Sequence, residues 1–348
     1  MNKIFFNIVN IVVRGSWFVA RVFKFTNHES RITMHVFLFL LSSFILPPSS
    51  FSRTRLYACA IGSDSVGSLV GGSSLGAGLW QSDDTGKTWK QLGWKHVKCY
   101  SVDVVSKSNG KIIFQACGNG VLRSTDAGAN WKMVTDWRIT EVMDIAIDQI
   151  APKNIYIATA GAIWKSNDGG NNWYEADSDI PYPIFVSRIK IDPADHLHIY
   201  AATESGLYES LDGGLEWKKK AESGPSVKDM IVTDHGISSW IEASGAYWVY
   251  EGEKWNRLNL DSNSWTLCRY QGQIYTGNAS GIAVSDAAEN LQESPANAHS
   301  LLAIGDVLFA GSLSGGVWKY DLLKEKGACE RSGLPDLQVW RLKTTEIQ

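Results

Sequence analysis

From residue 55 onward, apolar and polar residues alternate in short runs, and the runs arrive in groups of four separated by polar or glycine-containing turns. A period of two places successive side chains on opposite faces of a strand, so the pattern predicts antiparallel β-structure and no long helix. Residues 142–176 carry it most clearly, with strands expected at 142–147, 155–159, 162–166 and 172–176. The next group repeats it at 188–192, 198–202, 206–210 and 216–220, and the preceding one at 101–105, 112–117, 121–124 and 130–134. Three weaker groups follow within 229–258, 265–291 and 300–331, the poorest strand lying around Leu291.

The early groups share an eight-residue phrase before the fourth strand. It reads Ser82-Asp83-Asp84-Thr85-Gly86-Lys87-Thr88-Trp89, and it returns from Ser124, Ser166 and Ser210 at intervals of 42, 42 and 44 residues. A fixed period in this range marks stacked copies of one supersecondary unit. The constant residues are Ser82, Asp84, Gly86 and Trp89, then Ser124, Asp126, Gly128 and Trp131, then Ser166, Asp168, Gly170 and Trp173, then Ser210, Asp212, Gly214 and Trp217. Each has a use in a hairpin turn: Asp accepts hydrogen bonds from turn amides, Gly supplies a positive φ, and Trp anchors the next strand. Counting groups gives an all-β chain, a seven-bladed β-propeller of four-stranded antiparallel blades. The first group starts at Leu56 with what is a second strand elsewhere, and residues 337–343 read as a first strand with no group after it. The two ends therefore predict a ring closed by the C-terminal strand, which removes free sheet edges.

Composition adds little to the repeats and more to the N-terminus. A chain of 348 residues with 15 Trp, 32 Gly and 20% charged residues has the size for a large core and a sheet-and-turn composition. Its net charge of -3 offers neither a basic face for nucleic acid nor an electrostatic drive toward a membrane. Residues 1–50 stand outside the repeats. The run at 36–46, rich in Phe and Leu and followed by Pro47-Pro48-Ser49-Ser50, is short for a bilayer span but has the length of a signal-peptide core, with Lys24, Arg31 and Met34 upstream. The expectation is an export signal or membrane-associated leader at 1–50 and a propeller at 51–348, secreted or periplasmic, with membrane contact only through the leader. Leu56-Tyr57-Ala58-Cys59 resembles a bacterial lipobox, yet it aligns with second strands of later groups and the apolar run ends too far upstream. Five cysteines without CxxC spacing argue against a zinc or redox motif. Cys99 and Cys117 are expected opposite one another, either as a disulfide or, the preferred reading, as two buried thiols. No metal or cofactor site is expected: His196 and His198 have no third ligand, and Gly71-Gly72-Ser73-Ser74 lacks the lysine of a phosphate loop.

The four phrases resemble the Asp-box, or BNR repeat, at every defining position except Asn130, Asn172 and Glu216, where that family usually has Thr or Ser. With flanks such as Ile155-Tyr156-Ile157-Ala158-Thr159 and Ile163-Trp164-Lys165-Ser166, residues 55–345 are similar to the propellers of sortilin-type receptors, oligoxyloglucan-cleaving glycoside hydrolases and photosystem II assembly factors. The resemblance implies the fold; it implies activity weakly, since the Asp-box there stabilises blades away from most ligand sites.

Function is then a matter of sites. A sialidase of this type needs three carboxylate-gripping arginines and a Tyr with a Glu partner, but only Arg53 and Arg55 follow the leader before the first phrase, outside the Arg-Ile-Pro signature. A glycan-cleaving enzyme needs an acid and a base carboxylate, and Asp64, Asp177, Asp179 and Asp261 are loop candidates that no spacing pairs. The more distinctive signal lies on the face opposite the phrase turns. There an insertion at 62–78 carries Asp64, and the inter-blade loops carry Trp94, Trp137, Arg138, Tyr182, Phe185 and Trp265. Rings give contact area and Arg pairs with carboxylates, which suits a protein or glycan ligand; the alternative is that each ring packs between blades. Asp103, Asp144 and Asp229 recur in successive first strands, either ringing a channel or, as preferred, bonding the neighbouring blade. The reading is a monomeric, non-catalytic binding or assembly module with a protein partner preferred over a glycan. The alternative is a glycoside hydrolase of the same superfamily, which would show a deep groove with two carboxylates where a binding module shows a shallow aromatic face. A photosystem assembly factor would need a basic patch that the composition does not suggest.

Overall fold

A computed structural model describes residues 5–13, 16–24, 53–62, 77–182, 184–224, 226–251, 253–259, 264–284, 291, 293–323 and 329–347. The chain divides into two compact units, Met1–Phe51 and Ser52–Gln348. In the first, Phe5–Val13 pairs antiparallel with Ser16–Lys24, Phe5 facing Lys24 and Val13 facing Ser16. The run at 36–46 read as the core of an export signal lies outside the described residues, as do Asp64 and Asp261.

The second unit is a ring of seven antiparallel blades. Blade two is Cys99–Val104, Ile113–Cys117, Gly120–Ser124 and Lys132–Met133, and blade three is Val142–Ile147, Ile155–Thr159, Ile163–Ser166 and Tyr174–Glu175, each in that order from the axis outward. Blades four, five and seven begin at Val186–Ile191, Val227–Thr233 and Ala298–Ile304 and repeat the plan. Blade six shows Thr266–Tyr270, Gln273–Asn278 and Gly281–Val284, and beyond them the Leu291 amide donates to the Ile282 carbonyl at 2.8 Å. The fourth strands of blades two to four are shorter than the alternation suggests. The cause is the preceding turn, where the Asp126, Asp168 and Asp212 carboxylates take the amides of Asn130, Asn172 and Glu216 that a ladder would have used.

Blade one is Gln338–Ile347, Arg53–Gly62, Gly78–Ser82 and Lys90–Leu92, so the C-terminal strand closes the ring as its innermost member. The closing strand runs past the expected end at Lys343 to Ile347, which faces Arg53. Packing seals the same joint: Leu56 and Ala58 of blade one share a buried cluster with Phe309 and Val317 of blade seven and with Val339 and Leu342 of the closing strand. Every neighbouring pair of sheets buries apolar side chains in this way, at about 1.5–3 kcal/mol for each fully covered Leu or Ile. Between blades three and four the set includes Ile163, Ile189, Ile199 and Trp217.

The four repeated turns have one geometry. Ser124 Oγ donates to Asp126 Oδ1 at 2.9 Å and accepts the Gly128 amide at 2.9 Å, while Asn130 Nδ2 donates to Asp126 Oδ2 at 2.7 Å. Gly128 sits at φ 86°, and a Cβ there would meet Leu92 Cδ1 at 3.0 Å. The tryptophans do two different jobs. Trp89 and Trp131 Nε1 donate to carbonyls within their own turns, whereas Trp173 Nε1 donates to Val134 O at 2.9 Å and Trp217 Nε1 to Ala176 O at 2.7 Å, each on the preceding blade.

Toward the axis the first-strand aspartates do what was preferred for them. Asp103 Oδ2 accepts the Ile147 amide at 2.8 Å, Asp144 Oδ2 the Ile189 amide at 3.2 Å and Asp229 Oδ2 the Leu267 amide at 3.3 Å, in each case from the next blade. Cys99 faces Cys117 in the register, as expected, and both are free buried thiols whose pKa values burial raises.

Three outcomes follow from these joints. Ser166→Ala strands the buried Gly170 amide, and should cost about 1–3 kcal/mol in denaturant unfolding. Removing residues 337–348 opens blade one to its second strand, and size-exclusion chromatography should show aggregated material in place of a monomer. Hydrogen bonds from Thr88, Asn130 and Asn172 hold Asp84, Asp126 and Asp168 at about 2. A carboxyl depressed in the folded state stabilises it fully above the unfolded value of about 4. That contribution should therefore fade as pH falls from about 4 toward 2, and an acid titration of Asp168→Asn should show a shallower loss there than the parent chain.

Candidate functional site

Antiparallel order within a blade puts the turns between strands one and two on the same edge as those between strands three and four. The structure ties them together: the Ala127, Gly169 and Gly213 amides donate to Lys111, Lys153 and Leu197 carbonyls at 2.9, 3.0 and 2.9 Å. The inter-blade connections therefore lie on the other face, the loop face.

Four of the ring-bearing positions are exposed on that face and are not wedged between blades. Trp137 is 86% exposed, Tyr182 84%, Trp94 45% and Phe185 37%. They stand on three consecutive connections, between blades one and two, two and three, and three and four. Arg138 is braced beside Trp137: its Nη2 meets Asp136 Oδ2 at 2.7 Å and its Nε lies 3.1 Å from Oδ1. The side chains of both are about half exposed, so the pair orients the guanidinium more than it stabilises the fold. A cavity of about 340 Å³ runs along the outer edges of blades two and three, from Asp136 and Arg138 past Lys132–Met133 to the phrase turn at Gly170 and Trp173, and its one carboxylate is the one Arg138 holds.

Trp265 occupies a different place. Its ring lies 5.7 Å from that of His299, His299 lies 4.1 Å from Trp340, and Trp340 meets Tyr100 edge-on at 5.5 Å, so the four make an arc across blades six, seven, one and two at the loop-face end of the channel. Sequence reasoning missed three of these. The reason is a β-bulge that recurs near the start of innermost strands, between Cys99 and Ser101, between Ala298 and Ser300, and between Val339 and Arg341. One extra residue turns Tyr100, His299 or Trp340 out of the ladder and into the mouth. The only trace in the sequence is a break in the period of two, which looks like noise when the strands are read singly.

Tyr100 donates to Glu141 Oε2 at 3.0 Å, which supplies one part of a sialidase centre. Burial and the Glu141 carboxylate push its hydroxyl up to about 12, away from a ready nucleophile, and the arginines are not arranged for a ligand carboxylate. Arg188 is bonded to Asp229 at 3.0 Å and Arg341 to Asp144, both inside the channel. The loop carboxylates are likewise engaged: Asp177 accepts the Ile163 amide at 2.9 Å and Asp179 the Trp217 amide at 3.3 Å. Among the described residues, no group of three His, Cys, Asp or Glu is placed to hold a metal ion.

No protein-family model matches the chain, and no curated protein sequence does. Solved structures do. An ancestral GH74 enzyme aligns over 73% of this chain at 16% identity with a TM-score of 0.42, and the match spans only 35% of the enzyme's length. YCF48 from Cyanidioschyzon merolae aligns over 69% of this chain and 87% of its own at 12% identity, with a TM-score of 0.50. A chain of a nidogen–laminin complex aligns over 84% of this chain and 98% of its own at 9% identity, with a TM-score of 0.52. At these identities the likeness concerns the fold.

The mouth carries its own pH signature. His299 Nδ1 donates to the Trp340 carbonyl at 3.0 Å, and burial lowers the histidine's pKa to about 4. The unfolded chain, with histidine at about 6.5, binds the proton more readily, so stability should fall as pH drops from about 6.5 to 4. His299→Gln should flatten that limb of a thermal-unfolding profile while leaving the lower, carboxylate limb in place.

Proposed function

We propose that this chain is a non-catalytic binding or assembly module that receives a protein partner on its loop face, with Trp137, Tyr182, Trp94, Phe185 and Arg138 as the contact set. The observation that carries the reading is the exposure of Trp137 and Tyr182 on successive connections. Isolated large rings with a braced guanidinium are the side chains that dominate protein interfaces when buried at their centre. A glycan-cleaving centre would ask for two facing carboxylates, and Asp177 and Asp179 are each committed to a backbone amide. One structure similar in fold is part of a nidogen–laminin complex, a protein assembly. In this reading the four phrase turns are Asp-boxes with a structural role, and residues 1–50 direct the propeller out of the cytoplasm, which N-terminal sequencing of exported protein would test.

The full chain, immobilised beside a Trp137→Ala/Tyr182→Ala double variant, should retain a defined protein from its native extract, with the variant binding it at least about 30-fold more weakly. Stability of the variant should change by no more than about 0.5 kcal/mol, because neither ring is packed. Selective binding on a glycan array, hydrolysis of a polysaccharide, or collapse of the variant's fold would each overturn the reading.

A further inference from the structure

Arg188, Lys190, Arg341 and Lys343 meet the carboxylates Asp103, Asp144 and Asp229 in the central channel. Three ion pairs use up the acids: Arg188 with Asp229, Arg341 with Asp144, and Lys343 with Asp103 at 3.5 Å. Lys190 is left over, and it makes no hydrogen bond or ion pair among the described residues. Burial, and next the Lys343 ammonium, lower its pKa below the ordinary lysine value, with Asp144 and Asp229 opposing the shift from a distance. Beside it is a cavity of about 500 Å³ with Ile231, Cys268 and Leu302 on its walls and Arg269, itself paired with Glu251 at 3.9 Å, at its edge. No carboxylate lines it, and Thr233 and the Gln271-Gly272 turn place its opening on the phrase-turn face, away from the aromatic loop face.

We propose that this cavity binds a small amphipathic carboxylate, its head on the Lys190 ammonium and its apolar body against Ile231, Cys268 and Leu302. The volume is that of a small-molecule site, and a half-buried ammonium above an apolar wall selects one anionic head with a short hydrocarbon body. The site is independent of the loop-face docking surface, so either can fail without the other.

Calorimetry and thermal unfolding of the full chain with hexanoate, hexanol and inorganic phosphate test it. Hexanoate should bind saturably and raise the Tm, with hexanol and phosphate each at least about tenfold weaker, since each lacks one half of the recognition. Lys190→Arg should keep hexanoate binding. Lys190→Met should weaken it at least about tenfold and also raise the Tm of the ligand-free protein, because it removes an unpaired charge; a purely structural lysine would give a lower Tm. No hexanoate binding, hexanol or phosphate binding as tightly, or wild-type affinity in Lys190→Met would each overturn the proposal.

Discussion

The pairing of Gln338–Ile347 with Arg53–Gly62 is the constraint on which the rest depends. It turns three strands of blade one into a complete sheet, and it brings Val339 and Leu342 into the core shared with blade seven. The same strand delivers Arg341 and Lys343 to the channel and, through its bulge, Trp340 to the mouth. Closure and the completion of the channel wall are thus one event. Thr54 Oγ1 donating to Glu346 Oε1 at 2.7 Å, across 292 residues of sequence, is the outermost stitch of that seam.

Two sets of aspartates hold the blades by different physics. Those of the turns are exposed or half-buried, and they act by accepting several short hydrogen bonds from a single loop. Those of the axis span blades, and Asp144 and Asp229 are buried, where taking a charge out of water costs several kcal/mol unless a partner is in place. Arg341 meets Asp144 there, and Ser101 links them by donating to Asp144 Oδ1 at 2.6 Å while accepting from Arg341 Nη1 at 3.2 Å. Removing one member of the triad leaves a buried ion without compensation, which is strongly destabilising.

The fold was legible because its signals are local: alternation marks strands, and the recurring Ser, Asp, Gly and Trp mark turns. Closure was legible too, since Leu56 and residues 337–343 are complementary remainders of one plan. The sites were less so. Trp137 and Tyr182 were visible as rings in connections, but whether a ring is wedged or exposed depends on loop path, which alternation does not encode. Trp265 had the same signal and ends in the arc with His299. Lys190 gave none: a lysine within an alternating strand reads as solvent-facing, and its isolation depends on Asp103, Asp144 and Asp229 from three other blades being already engaged.

The seam also orders the life of the nascent polypeptide. Blades two to seven each complete themselves from contiguous sequence and can dock on a neighbour as they leave the ribosome. The edge of Arg53–Gly62 has no such recourse. It precedes the other propeller strands in the sequence, and the strand that covers it follows them, so it stays an adhesive, unsatisfied ladder until residues 338–347 have been made. Quality control of this protein is consequently a question of shielding one early strand until its distant partner has been synthesised.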